Sequence, residues 1–426
     1  MGRVGEPGTR NPELATFIGY PRSMPDSIFH TLGHGFDWCA PDLQWPVTTN
    51  VGPGLSGVIA ATTRVVWLDP SSGHLAYRGV PIEVLAHRPD FERTAYLLIS
   101  GSTAAEEPRG FEEFRGNLRC SRVLPQEVLD LITSFQPSVH PTRMLRAGVS
   151  AMGCHELNVD DDIEGLNQWS ELRIVGQMAS LVTQVIEHRR GRIAPPAMAP
   201  ETSLAEGVLS ALVKREPSDD ERRALNLLWV LYAAHGLDAP TFTSMIVASC
   251  LADPYYNVVA GLSALTGRLQ GGAGERIITQ LLTLEDPEAA TRWVQSTLAE
   301  GGVIPGFGHR AYRMADPRAV VLRKAAASLA RQRGRGELYE VTRAVEEAAT
   351  QVLAPKGIFV NINLYGALVF HLLGAEPAEI PCLIAVARTA GMVALVRETL
   401  HDIRLYRPLS RYVGPAQRPF PARRKG

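Results

Sequence analysis

The chain has 426 residues, 45% of them hydrophobic and 20% charged, a composition that belongs to ordinary globular proteins and a length that accommodates two or three lobes. Lys and Arg total 43 against 44 Asp and Glu, a net charge of -1, which gives no electrostatic reason to expect nucleic acid or an anionic membrane as a partner. Five scattered cysteines (Cys39, Cys120, Cys154, Cys250, Cys382) frame neither a zinc site nor a redox dithiol, so no metal is expected and a reducing compartment is.

The opening residues lack the basic-then-apolar pattern of a secretion signal, and no apolar run reaches bilayer length, so the expected location is the cytoplasm. Residues 1–50 are rich in Pro and Gly without a sustained period and read as an irregular extension. His30 and His34 are four apart, but Gly33 and Gly35 break the helix that would align them. "TRVVWLDPSSGHLAYRGVPIEVLA" then gives two short β-branched or aromatic runs around an Asp-Pro-Ser-Ser-Gly turn, which predicts a small hairpin.

From about Phe91 to Leu269 the period changes. "FERTAYLLIS", "PQEVLDLITSF", "HPTRMLRAGVSAMG" and "ELRIVGQMASLVTQVIEHRRG" carry apolar residues three and four apart, with Pro and Gly as stops. "IAPPAMAPETS" reads as a linker, and "DDERRALNLLWVLYAAHGLDAPTFTSMIVASCLADPYYNVVAGLSALTG" as at least two further helices. The second half continues with "DPEAATRWVQSTLAEG", "DPRAVVLRKAAASLARQRG", "GELYEVTRAVEEAATQVLAP" and "IPCLIAVARTAGMVALVRETL". No strand and helix alternation follows the hairpin, so the expected class is mainly α.

"IPGFGHRAYRMADPRA" carries the most chemistry. Pro305, Gly306 and Gly308 make a tight turn presenting His309, Asp316-Pro317 starts a helix, and Arg310, Arg313 and Arg318 are expected around the histidine. Guanidinium binds carboxylate or phosphate through two parallel hydrogen bonds, so such a cluster suits a small polyanion; the plainer alternative is a solvated charged turn. "YAAHGLDAPTF" places His235 near a helix end, where a histidine is more often structural, and "CHELN" at Cys154 to Asn158 lies apart and is set aside. No phosphate-cradling GxxxxGK[ST] loop or GxSxG elbow exists, and "GGAG" at Gly271 to Gly274 lacks the preceding strand a dinucleotide site requires.

Together these segments resemble citrate synthase over roughly Gly52 to Pro415, through the hairpin, "FERTAYLLISG", "HPTRMLRAGVSAMG", "GFGHRAYRMADPRA", "ARTAG" and "RPLSRYVGP". The resemblance implies a homodimer of helical subunits, with a large domain (51–268 and 380–426) and a smaller one (269–379) closing over oxaloacetate and acetyl-CoA. It implies no permanently bound cofactor, with acyl-CoA as co-substrate. His235, His309, Arg318, Arg388 and Arg407 match the oxaloacetate-binding positions, Arg407 reaching across from the partner subunit; the "HGLD" after His235 departs from the family's "HELN". Arg313, Gly306 and Gly308 fall on the coenzyme side.

Two catalytic positions differ. The family's "GPLHGGAN" reads "GRLQGGAG", so Gln270 replaces a histidine that donates to the thioester oxygen; the family's "NVDFYSG" reads "NINLYGA", so Asn363 replaces the aspartate that removes the acetyl proton. Glutamine keeps an N–H donor, whereas asparagine is no base. His371, two turns beyond Asn363, and Glu275, expected to be solvated, are assigned no catalytic role. Two readings follow: a carbon-carbon bond-forming acyltransferase with altered donor chemistry, or a pseudoenzyme that senses dicarboxylates or partners an active paralogue.

Overall fold

The computed structural model describes residues 53–55, 58–155, 168–193, 198–199, 201–401, 403–408 and 414. The extension at 1–50, Glu156 to Asn158 of "CHELN", part of the expected linker and most of "RPLSRYVGP" lie outside the described residues.

Strands β1 (Val66–Asp69), β2 (His74–Tyr77) and β3 (Val80–Pro81) form an antiparallel sheet, with Val66 opposite Tyr77 and Tyr77 opposite Val80. The expected hairpin thus gains a third short strand. Its turn is held by Asp69, whose carboxylate accepts from the hydroxyls of Ser71 and Ser72 at 2.6 Å each, and closes on Gly73 at φ 71°.

Sixteen α-helices follow in chain order among the described residues: α1 (Ile82–His87), α2 (Phe91–Ser100), α3 (Pro108–Cys120), α4 (Gln126–Ser134), α5 (Pro141–Gly153), α6 (Gln168–Arg189), α7 (Leu204–Val213) and α8 (Asp219–Tyr232) in the first half. The second half adds α9 (Ala239–Ala248), α10 (Pro254–Leu265), α11 (Gly272–Leu281), α12 (Pro287–Ala299), α13 (Pro317–Gln332), α14 (Gly336–Leu353), α15 (Ile362–Leu372) and α16 (Ile380–His401). Their starts are written locally. Ser203 and Ser218 form capping boxes with Glu206 and Glu221, and Asp238, Asp253, Asp286 and Asp316 cap α9, α10, α12 and α13 ahead of a proline in the first turn.

Helix α16 is the axis of one cluster, packed against α2, α6, α8, α9 and α10. The stretch Pro377–His401 has 25 residues of mean hydropathy 1.7 in its most apolar window, long and apolar enough to cross a bilayer, which corrects the expectation that no such run exists. That window is 100% buried inside the protein, so its apolarity serves the core. A second cluster pairs α12 with α14, α13 with α15 and α11 with α15. Between the clusters, α8 touches α13, α15 and α16, so its C-terminal end reaches residues from both.

Candidate active site

The loop from Ile304 to Asp316 is fixed from below by the start of α15. Gly306 and Gly308 have φ of 88° and 84°, a region where side chains are strained, and a Cβ on Gly306 would approach that of Leu364 to 3.0 Å. Gly306 C=O accepts from the Asn361 N–H at 2.8 Å, the Asn361 side chain donates to Gly308 C=O at 2.8 Å, and its Oδ1 caps α15 by accepting from Asn363 N–H at 3.0 Å. One asparagine therefore ties the His309 loop to the first turn of the helix that carries Asn363.

His309 is held in a single tautomer. Its Nδ1 accepts from the Ala311 and Tyr312 N–H groups, each at 3.0 Å, so the proton of the neutral ring sits on Nε2. Burial, reinforced by the positive charge of Arg318, lowers its pKa to about 4. The ring is thus a neutral N–H donor at neutral pH, suited to a carbonyl oxygen that gains negative charge.

Three aromatic or imidazole contacts converge here. The His309 ring lies 4.9 Å from that of His235 and 4.6 Å from that of Tyr312, and His235 lies 5.5 Å from Tyr312. Beneath them Arg318 forms a buried pair with Asp316: Nη2 donates to Oδ2 at 2.8 Å and Nε to Oδ1 at 3.0 Å. Asp316 Oδ2 also accepts from Ile362 N–H at 3.2 Å. Burial opposes ionisation of Asp316, but Arg318 overrides it and holds the carboxyl below its usual range.

His235 sits where β2, α8 and α16 meet. The buried Tyr77 hydroxyl is 2.8 Å from Ala234 C=O and accepts from Ala234 N–H at 3.2 Å, anchoring the chain just before the histidine. On the other side Gly391 lets α16 touch that chain: a Cβ there would lie 2.1 Å from Ala233 C=O. That approach delivers Arg388, whose Nε donates to Tyr232 C=O at 2.8 Å and whose Nη1 pairs with Asp238 Oδ2. Burial, with Arg318 and His309 nearby, pushes the His235 pKa well below its ordinary value.

Two polar atoms in this cluster are buried without a hydrogen-bond partner, His235 Nε2 and the Tyr312 hydroxyl. An unpaired buried group costs about 1–3 kcal/mol, and two in contact with the same ring leave hydrogen-bonding capacity that a small polar molecule can take up.

The remaining candidates are placed less centrally. Asn363 is partly buried at the start of α15, and its Oδ1 accepts from the Tyr232 hydroxyl at 3.2 Å, which leaves its NH₂ as the free face. Gly366 makes room for that hydroxyl, since a Cβ would stand 2.3 Å from it. Gln270 is partly buried in the turn before α11, its N–H donating to Gly267 C=O at 2.9 Å; no hydrogen bond or ring contact joins it to His235 or His309 among the described residues. Arg310 and Arg313 are exposed, whereas Arg318 is buried. Only Arg318 has a buried carboxylate to offset its desolvation. Arg407 is exposed just after Tyr406, whose N–H donates to Ser249 Oγ at 3.3 Å and whose ring lies 5.6 Å from Phe242 on α9. Glu275 is not the solvated residue expected: its carboxylate lies 3.2 Å from His140 Nε2.

Sequence reasoning passed over Tyr232, Asp238, Tyr312, Asp316 and Asn361. Asp316 was visible only as a helix start, and nothing local says that this cap also grips Arg318 two residues on, or that Asp238 holds Arg388, 150 residues away.

The fold is a mainly helical one with a buried, donor-rich cluster, the kind of place where α proteins hold small molecules. Comparison with known proteins narrows it. Residues 54–409 match the family described as citrate synthase, C-terminal domain. The citrate synthase of Saccharolobus solfataricus is 32% identical over 86% of this chain and 96% of its own, and the 2-methylcitrate synthase of Mycobacterium tuberculosis 30% over 87% and 93%. Among solved structures, the Thermoplasma acidophilum citrate synthase in ternary complex with carboxymethyl coenzyme A and oxaloacetate has a TM-score of 0.83 at 27% identity, covering 88% of this chain and 99% of that one. The chain belongs to the citrate synthase family.

Proposed function

We propose that this protein binds an oxaloacetate-like 2-oxo dicarboxylate and an acyl-CoA, and joins them through a carbon-carbon bond by a route that relies little on direct proton abstraction from acetyl-CoA. The observation that carries this reading is the His309 tautomer: a neutral ring with its N–H on Nε2, beside the unpaired His235 Nε2 and Tyr312 hydroxyl. His309 Nε2–H would donate to the ketone oxygen and follow it as it becomes an alkoxide. Arg318 and Arg388 would take the carboxylates with the N–H groups that Asp316 and Asp238 leave free, aided by Arg407 from the second subunit of a homodimer. Closure of 269–379 onto the rest of the chain would exclude water, with Arg313, Gly306 and Gly308 on the coenzyme side. The cytoplasm suits such chemistry.

Asn363 decides what the donor must be. Its oxygen accepts from Tyr232, so its free amide face donates and takes no proton. Loss of a general base costs typically 10² to 10⁴-fold, so the nucleophile is a more acidic acyl thioester or one generated by decarboxylation, with the Gln270 amide supplying the enolate's hydrogen bond. The same asparagine favours a second reading, a pseudoenzyme that senses dicarboxylates or partners an active paralogue.

A screen of acyl thioesters against oxaloacetate and related 2-oxo acids tests the proposal, run alongside Gln270→His combined with Asn363→Asp. Turnover with an acidified or decarboxylating donor, and citrate formation by the double variant, support the altered enzyme. Oxaloacetate binding with no turnover of any donor by either protein favours the sensor, and no binding of any 2-oxo acid overturns both.

A further inference from the structure

A separate cavity of about 350 Å³ opens beyond the far end of α15, lined by Arg215, Arg333, Arg335, His371, Leu212 and Gly374 among others. His371 is eight residues from Asn363 on this helix, so the cavity stands about 12 Å along the axis from the candidate active site. Its wall comes from two sides: α7 and the segment after it on one, the ends of α13 and α15 on the other.

The charge is unbalanced. Glu221 is the carboxylate that serves these arginines, accepting from Arg215 at 2.7 and 2.8 Å and pairing with Arg333. The Arg335 guanidinium has no partner among the described residues, and Arg333 Nε is buried without one. With one carboxylate against three guanidinium groups, two positive charges remain in excess. Nearby acceptors are occupied, because Arg190 donates to Leu212 C=O at 3.1 Å and to Gly374 C=O at 2.9 Å. Arg335 is also the N-cap of the 18-residue α14 and offers it no side-chain cap, while Glu337 in the first turn offsets that helix's own positive end. His371 holds its Nδ1 against Ala375 C=O at 3.3 Å, leaving Nε2 to gain a proton when an anion arrives.

We propose that this cavity is a second anion site, separate from the dicarboxylate pocket, that takes an oligophosphate chain. Phosphate offers the acceptor geometry that converging guanidinium groups match, and a di- or triphosphate fits both the volume and the excess charge.

The test is calorimetric titration of the full chain with inorganic tripolyphosphate and, in parallel, with a nucleoside triphosphate, each with and without saturating oxaloacetate. Tripolyphosphate is expected to bind at one site per chain, unaffected by oxaloacetate. Arg335→Gln, an exposed residue without an ion pair to lose, should weaken it at least tenfold, and the His371 imidazole titration followed by NMR should move to higher pH on binding. Tighter binding of the nucleotide would place an organic group against Leu212 and Leu372; equal binding would assign the site to free oligophosphate. Displacement by oxaloacetate, wild-type affinity in both Arg335→Gln and His371→Gln, or an unmoved His371 titration overturns the proposal.

Discussion

Asp238→Asn separates stability from ligand binding. Asp238 Oδ1 caps α9 by accepting from Thr241 N–H at 3.1 Å, while Oδ2 pairs with Arg388 Nη1. A ligand carboxylate at Arg388 therefore meets a guanidinium already half-neutralised by an internal carboxylate. Unit charges 4 Å apart interact by roughly 4 kcal/mol at an effective dielectric of 20, so removing Asp238's charge should return a sizeable part of that to the ligand. We expect about 10- to 100-fold tighter oxaloacetate binding, or about 1.4–2.8 kcal/mol. Asparagine retains the cap but leaves Arg388 without its counter-charge, so the unliganded protein should lose about 1–3 kcal/mol, discounted from a fully buried pair because the Asp238 side chain is 15% exposed. Calorimetry with oxaloacetate and pyruvate, beside urea denaturation, reads both quantities. The predicted pattern is lower stability with a gain for the dicarboxylate that exceeds any for the monocarboxylate. Unchanged or weaker oxaloacetate binding would refute Arg388 as a carboxylate receptor.

Tyr312→Phe removes a buried hydroxyl that has no partner, so denaturation should show stability unchanged or raised by about 1 kcal/mol, while oxaloacetate affinity falls about tenfold. Gly391→Ala would force α16 away from Ala233, which lowers the melting temperature and weakens oxaloacetate binding together, because Arg388 rides on that contact. His235 and His309 both have pKa values below the ordinary 6.5, His309 near 4. Between those values the unfolded chain takes up protons that the folded one refuses, so stability should be full above about 6.5 and decline as pH falls toward 4. Thermal denaturation over that window checks it, and His309→Gln should flatten the slope.

Most of the longer helices were legible from the apolar period with Pro or Gly stops, many of them with a capping Asp or Ser, whereas α3, α11 and α15 were not read from the sequence; α3 and α11 start without a side-chain cap. β3 was not, since Val80–Pro81 is two residues long and gains its identity only by pairing with β2. In the site, His309 was legible from the glycine turn that presents it, but its tautomer was not: that depends on two backbone N–H groups, which need coordinates. The arginines show the same limit. Arg310, Arg313 and Arg318 look alike along the chain, and what separates them is that Asp316 and Ile362 enclose only the last. The Tyr232 bond to Asn363 joins residues 131 apart in sequence, beyond the reach of any local pattern.

The account rests on an anion receptor that works beside a position that no longer takes protons. Solvent deuterium exchange into the methyl group of acetyl-CoA, with oxaloacetate saturating, measures that combination directly. Wild-type protein should bind oxaloacetate yet leave the methyl protons at the buffer rate, while Asn363→Asp should exchange them at least 10²-fold faster. Rapid exchange by the wild type, undiminished in Asn363→Ala, would mean that another group is the base and would contradict the account.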